Sequence, residues 1–343
     1  MTRFIDVDGM TDWLASEGVE RTIAGMMDYL EEDYANWEGF TKIPRVANHS
    51  PLGVIELMPA SNATEYGFKY VNGHPSNPAR GFQTVVAFGV LANVDNGYPT
   101  FLAEMTVLTA LRTAAASGMV ARKLARPDSK VHAMIGSGSQ SEFQALGMRA
   151  ATGAEEIRCF DIDEKAMEKF EQNIAPLGFR VTKCSSAAEA VEGADIVTVC
   201  TADKATNTIL HDADVRPGMH LNAIGGDCPG KTELDAAILK RAEVFVEFPE
   251  QTRIEGEIQQ MPEDFPVREV WRVITGEDEG RRSAEEITLF DSVGFAINDF
   301  AGLRYVRDRV SETRFDQHIN LLAEPEDPKN LFSLVPQPAP LPR

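Results

Sequence analysis

An apolar stretch at 131–135 runs directly into Gly136-Ser137-Gly138 and then into a segment of helical character. Few local patterns restrict a fold as tightly. The glycines let the backbone turn sharply and bring amide N–H groups close to a phosphate. The dipole of the following helix favours the anion's charge. The next apolar run, 157–161, ends in Asp161. An acid there accepts hydrogen bonds from the 2′- and 3′-hydroxyls of an adenosine ribose and repels a 2′-phosphate. Together these residues point to an NAD-binding strand–turn–helix unit.

A GxG turn alone also closes loops in unrelated α/β folds, so the surrounding rhythm decides. Apolar runs recur at 131–135, 157–161, 179–183, 196–200, 219–224 and 243–248, with segments of helical spacing between them. In the first such segment Phe143, Leu146 and Ala150 share a face, and Gly153 supplies the stop. Further helices are expected at 164–174, before Pro176, and at 232–241. This alternation predicts an α/β fold: a Rossmann-type, doubly wound parallel sheet with right-handed crossovers.

The first 115 or so residues read differently. A helix is expected over 17–36, followed by period-2 runs at 53–58, 67–71, 84–91 and 99–102. Alternation of this kind predicts antiparallel strands with one buried face, here an α+β domain. The turn-rich segment 72–81 interrupts them, and a long helix over 104–125 leads into the second region. Late in the chain, 287–292 reads as a strand and 293–310 as a helix. The Pro-rich tail after Glu324 is expected to be poorly ordered.

Composition narrows the function classes. A net charge of −20 argues against nucleic acid and against an anionic membrane surface. The longest apolar run, near 85–92, is too short to span a bilayer, and the N-terminus carries no apolar signal core. The four cysteines form no CxxC pair, and His49, His74 and His132 have no metal-ligand spacing, so no metal is expected. The expected location is the cytoplasm.

Two groups of residues can carry chemistry. The segment Gly225-Gly226-Asp227-Cys228-Pro229-Gly230-Lys231 follows the fifth strand of the α/β region, at the edge where such sheets bind ligands. Its glycines and proline bend the chain and expose Asp227, with Lys231 close by. The alternative is an Asp turn that caps the next helix. The second group is Arg45, Glu56 and Lys69 on otherwise apolar strands of the first region, with Arg112 on the connecting helix. Charges directed into a core require partners, and several from different strands make a polar pocket. Arg and Lys together suit a carboxylate, which Arg grips bidentately. The alternative is that each points outward into solvent.

The segments 136–144, 225–234 and 287–294 resemble the ornithine cyclodeaminase/mu-crystallin family over nearly the whole chain. The resemblance implies a substrate-binding and dimerisation domain over 1–118, completed by about 313–343, and an NAD-binding Rossmann domain over 119–312. It implies that Arg45, Lys69 and Arg112 hold the substrate carboxylate, that Glu56 meets the side-chain amine, and that Asp227 is the acid/base at the α-amine. Thr84, Gly136, Gly138, Ser139, Gln140, Asp161, Thr201, Lys231 and Ser292 would touch NAD or line the site. The third position of the fingerprint is Ser141 rather than glycine, which the family tolerates.

The chemistry implied is conversion of L-ornithine to L-proline and ammonia. NAD⁺ oxidises the α-carbon, the deprotonated δ-amine closes the ring with a large proximity advantage, and the ring is then reduced. The resemblance also implies a homodimer. It leaves open lysine cyclodeaminase, alanine dehydrogenase and ketimine reductase activities, and a non-catalytic binding role like that of mu-crystallin. Retention of Glu56, Lys69 and Asp227 argues against the last. A structural NAD-binding subunit with no substrate site is disfavoured by the clustered cations.

Overall fold

The computed structural model describes residues 1–201, 207–226 and 228–336. Two sheets organise it. The first contains β1 (Thr2–Ile5), β2 (Thr41–Lys42), β3 (Val46–Ser50), β4 (Gly53–Ser61), β5 (Glu65–Gly73), β6 (Ala87–Asn93) and β7 (Pro99–Glu104). The second contains β8 (Val131–Ile135), β9 (Glu156–Phe160), β10 (Arg180–Lys183), β11 (Ile196–Val199), β12 (His220–Ala223), β13 (Glu243–Val246), β14 (Arg268–Glu269) and β15 (Thr288–Asp291). The last strand, β16 (Gln317–Ile319), returns to the first sheet and pairs with β1. The helices are α1 (Val7–Glu17), α2 (Val19–Ala35), α3 (Thr106–Leu124), α4 (Ser141–Thr152), α5 (Glu164–Ile174), α6 (Ala187–Val191), α7 (Ala236–Arg241), α8 (Pro249–Glu255), α9 (Val270–Thr275) and α10 (Ala296–Val310).

The second sheet is parallel throughout, in the order β10-β9-β8-β11-β12-β15-β13-β14. The order reverses between β8 and β11, the crevice where doubly wound sheets take ligands. This is the expected fold class. β15, from late in the chain, inserts between β12 and β13. β12, β13 and β15 are buried, and apolar patterning alone does not say which buried strand lies beside which. The two faces of this sheet pack into separate cores. Met134, Ile157 and Phe290 join the core shared with the first region, and Ala133, Val197, Leu221 and Leu289 form the other.

In the first sheet the four expected runs, β4 to β7, pair antiparallel as expected, as do β2, β3 and β16 with their neighbours, and β1, outside those runs, lies parallel to β7. α10 packs on its inner face. Phe300 sits over Gly67 and Leu303 over Gly89, where a Cβ would come within 2.7 and 3.0 Å of those side chains. By packing, α10 belongs with this sheet. The outer face is also apolar: Ile55, Leu57, Tyr66 and Phe88 are exposed, and Tyr70 stacks on Phe88 at 5.1 Å.

Several boundaries differ from expectation for local reasons. The helix expected over 17–36 is α2, and a further helix, α1, precedes it; Gly18, at φ +90°, separates the two. Asp6 caps the first, accepting the Gly9 N–H at 2.8 Å. The helix expected over 293–310 begins only at Ala296, after Gly294 at φ +75°. The helix over 232–241 is confined to α7, and the strand over 84–91 starts at Ala87. In the tail, Leu331–Leu334 forms a 3₁₀ turn.

Candidate active site

After β8 the chain turns at Gly136, with φ +96°. A Cβ there would lie 2.8 Å from the Cys200 carbonyl oxygen, so only glycine fits against the end of β11. The Ser137 N–H donates to Asp161 Oδ2 at 2.6 Å, and the Asp163 N–H donates to Asp161 Oδ1 at 2.9 Å. Asp161 therefore fixes the glycine turn, while each of its oxygens retains a further lone pair for a hydroxyl. Gly138 and Ser139 are exposed, and the space over Gly138 is open. Gln140 precedes α4 without capping it through its side chain, which leaves first-turn N–H groups for a ligand. A groove of about 660 Å³ opens beside this turn, between α4 and α5. A glycine cradle, an uncapped helix start and a carboxylate at the neighbouring strand end fit a dinucleotide.

The charged residues of the first region point inward. Glu56, Lys69 and Arg112 are buried, Lys69 to 1% exposure. Lys69 Nζ donates to Asp299 Oδ1 at 2.8 Å, and Arg112 Nε pairs with the same oxygen at 2.8 Å. Gly294 lets the guanidinium close in, since a Cβ there would lie 2.8 Å from it. Arg45 Nη1 meets Glu56 Oε2 and Arg45 Nε meets Glu255 Oε2, each at 3.1 Å. Its Nη2 donates to the carbonyls of Val293 and Gly294. Gln251 accepts the Arg45 backbone N–H at 3.0 Å and donates to the Gly294 carbonyl at 2.9 Å. Arg45 thus ties the first sheet to α8 and to the link between β15 and α10.

Glu247, just past β13, is fully buried. It accepts from Asn298 Nδ2 at 2.6 Å, from the Gly294 N–H at 3.1 Å and from Ser292 Oγ at 3.2 Å. Burial pushes its carboxyl above the usual range. Burial, with the positive charge of Arg112, also brings the Lys69 ammonium down to about 7, against the pull of Asp299.

The third element is the loop after β12. Lys231 Nζ donates to the Thr201 carbonyl at 3.1 Å, and Thr201 Oγ1 donates to Glu233 Oε1. Thr201 and Lys231 are therefore brought together, and Ser292 stands with Glu247. Asp227 lies outside the described residues. Thr84 sits ahead of β6, its carbonyl accepting the His74 N–H at 2.9 Å. Among the described residues no hydrogen bond joins its side chain to the rest of the site.

Sequence reasoning missed Asp299, Glu247, Gln251 and Glu255. Asp299 stands in the apolar run Phe295-Ala296-Ile297-Asn298-Asp299-Phe300, the same signal that singles out Lys69 and Arg112. Glu247 closes an apolar strand, as Asp161 does. Gln251 and Glu255 lie on a short polar helix that gives no such cue.

The profile described as Ornithine cyclodeaminase/mu-crystallin family matches residues 9–314. An ornithine cyclodeaminase of Agrobacterium fabrum is 57% identical over 332 residues, covering 97% of this chain and 94% of that protein. A lysine cyclodeaminase, solved to explain its recognition of L-lysine, L-ornithine and L-2,4-diaminobutyric acid, superposes with a TM-score of 0.89 at 28% identity, covering 95% of this chain and 97% of that one. An archaeal alanine dehydrogenase dimer with bound NAD superposes with a TM-score of 0.84 at 31% identity, covering 94% and 99%.

Proposed function

The chain belongs to the ornithine cyclodeaminase/mu-crystallin family, and we propose that it converts L-ornithine to L-proline and ammonia, a cyclising ammonia-lyase with NAD as its cofactor. The observation that carries this reading is the charge pattern of the pocket. Arg45, Lys69 and Arg112 supply the cations for an amino-acid carboxylate. Glu56, Glu247, Glu255 and Asp299, all buried around them, outnumber these cations four to three. L-Ornithine at neutral pH carries two ammonium groups and one carboxylate, a single net positive charge. A monoamino acid such as alanine has none to match.

NAD, when bound, supplies the hydride acceptor for the α-carbon and returns the hydride once the ring has closed. Gly136, Gly138, Ser139 and Gln140 hold its pyrophosphate and Asp161 its adenosine ribose. Thr84, Thr201, Lys231 and Ser292 line the remainder. Arg45, Lys69 and Arg112 hold the substrate carboxylate. Glu56 receives the side-chain ammonium, and Asp227 takes the proton from the α-ammonium.

In this reading residues 1–118, with α10 and about 313–343, form the substrate and dimerisation domain, and the intervening residues hold NAD. A second copy of the chain covers the apolar outer face of the first sheet, making a homodimer; a face of exposed Ile55, Leu57, Tyr66 and Phe88 is unusual on a solvated sheet. No helix among the described residues is long and apolar enough to cross a membrane. We assign the protein to the cytoplasm, where its buried Cys159 and Cys184 remain thiols.

The test is incubation of the purified full chain with L-ornithine and substoichiometric NAD. Ammonia and L-proline should appear in equal amounts without lasting NADH. Absence of both products overturns the reading, and sustained NADH formation from L-alanine would mark a dehydrogenase instead.

A further inference from the structure

Behind the pocket, three buried carboxylates are linked through backbone amides. Asp291, at the end of β15, accepts the Glu257 N–H at Oδ1 and the Ile258 N–H at Oδ2, each at 2.9 Å. Glu257 in turn accepts the Glu233 N–H at Oε1, 2.8 Å, and the Leu234 N–H at Oε2, 3.1 Å. Glu233 accepts the hydroxyl of Thr201, the residue whose carbonyl receives Lys231 Nζ. Each carboxylate thus grips the segment that carries the next one. The series runs from the middle of the parallel sheet out to the loop after β11.

Two glycines make the series possible. A Cβ on Gly256 would lie 2.7 Å from Asp291 Oδ1, and a Cβ on Gly225 would collide with the Glu233 carboxylate. Gly225 and Lys231 flank position 227 in the sequence. The Glu233 carboxylate therefore abuts the start of that loop and bonds the residue that holds its Lys231 end. All three acids are buried. A buried carboxylate costs several kcal/mol unless its oxygens are occupied by donors, and rigid amide pairs are a strong way to occupy them. An apolar side chain would fill these spaces at lower cost, so the arrangement calls for a reason beyond stability.

We propose that Glu233 and Glu257, anchored on Asp291, are positioning residues that fix Thr201, Gly225 and Lys231 against the cofactor and substrate. The inference rests on the function proposed above. It extends that reading to residues that touch neither substrate nor cofactor and act through Thr201 and the backbone of the loop.

The experiment compares Glu233→Leu, Glu233→Gln and Glu257→Gln in the full chain. Glutamine at 233 keeps an acceptor for Thr201 and leucine removes it. Glutamine at 257 sets a permanent NH₂ donor against one of the two backbone N–H groups that Glu257 accepts. Backbone hydrogen–deuterium exchange, read without NAD or ornithine, should rise at least ten-fold over residues 225–231 in Glu233→Leu and Glu257→Gln. In ornithine turnover, Glu233→Leu should lower kcat at least ten-fold with KM within three-fold, because the carboxylate-binding cations rest on other acids. Glu233→Gln should keep at least a third of kcat. Unchanged exchange in both Glu233→Leu and Glu257→Gln overturns the proposal, as does faster exchange with kcat intact. Should the unaltered protein fail to turn over ornithine, the proposed function falls, and exchange alone still decides the relay.

Discussion

Asp299→Asn isolates the electrostatics of the proposed substrate pocket. The carboxylate is shared by Lys69 and Arg112 at 2.8 Å each, and it is the group that opposes the downward shift of the Lys69 ammonium. With Asp299 present that ammonium titrates at about 7. Removing a close opposite charge lowers a cation's pKa by about 1–3 units. Taking about two units, the protonated fraction of Lys69 at pH 7 drops from about one half to about 1%. Asparagine keeps the volume, so the loss falls on charge. The expected result is a KM for L-ornithine raised about fifty-fold at pH 7, with the gap nearly closed at pH 5, where Lys69 regains its proton.

Folding should survive this change. Stranding a buried charge costs about 3–5 kcal/mol, but Lys69 can shed its proton at pH 7 for less than about 1 kcal/mol. Arg112 keeps the field of Glu247. Initial-rate ammonia release at pH 5, 6 and 7, with thermal melts alongside, separates the two effects. A KM ratio independent of pH would refute the reasoning. So would a lowered KM, which would mean that Asp299 competes with the substrate for the cations instead of keeping them charged.

Asp161→Ser removes both the proposed ribose acceptor and the anchor of Ser137, so the ratio of NADP to NAD dissociation constants should fall at least ten-fold in binding titrations; an unchanged ratio would clear Asp161 of the selection. Gly136→Ala forces a Cβ to 2.8 Å from the Cys200 carbonyl oxygen at φ +96°, a strain of about 1–3 kcal/mol; Tm should drop and NAD affinity weaken more than ten-fold. Burial raises Asp291 to about 7 and Glu257 to about 8, above their unfolded values, so the native state holds these protons longer. Their contribution to stability is complete below about pH 4 and is lost as pH rises through 7 to 8. The difference in Tm between the unaltered protein and Asp291→Asn should therefore narrow from pH 5 to pH 8. Leu57→Lys with Phe88→Lys places charges on the outer face of the first sheet and should give monomers in sedimentation; an intact dimer would move the interface elsewhere.

The parallel sheet was legible because its strands are buried runs set off by Gly136, Gly153 and Pro176, signals that act within a few residues. The insertion of β15 between β12 and β13 was not, since it depends on which of several equally apolar strands finds the vacant edge. The parallel pairing of β1 with β7 escaped for the same reason. Lys69 and Arg112 stood out as cations in apolar surroundings. Their partner Asp299 carries the same mark, an acid in an apolar run, but pairing it with cations far back in the sequence, Lys69 by 230 residues, depends on how α10 packs against α3 and β5. Glu257 and Glu233 gave no cue at all. Their roles are set by amides brought near them only when 3₁₀ turns and loops from distant parts of the chain close together, as the Glu233 and Leu234 N–H groups do at Glu257.

The pairing of every pocket cation with a protein carboxylate bears on how a substrate is chosen. In the proposed binding mode, an incoming carboxylate at Arg45, Lys69 or Arg112 replaces or shares an existing partner. Exchanging one carboxylate for another changes the Coulomb energy little, so this contact orients the amino acid more than it tightens binding. Net attraction must come from what is left over. The excess negative charge lies with the acids around Arg45, among them Glu56 and Glu255, and a second ammonium on the substrate's side chain is the group that meets it. Alanine could satisfy the cations and still leave those acids as they were. Selection for a diamino acid then follows from the charge remaining after internal pairing, and replacing Glu56 with Gln should reduce the preference for ornithine over alanine by more than it reduces the binding of either carboxylate.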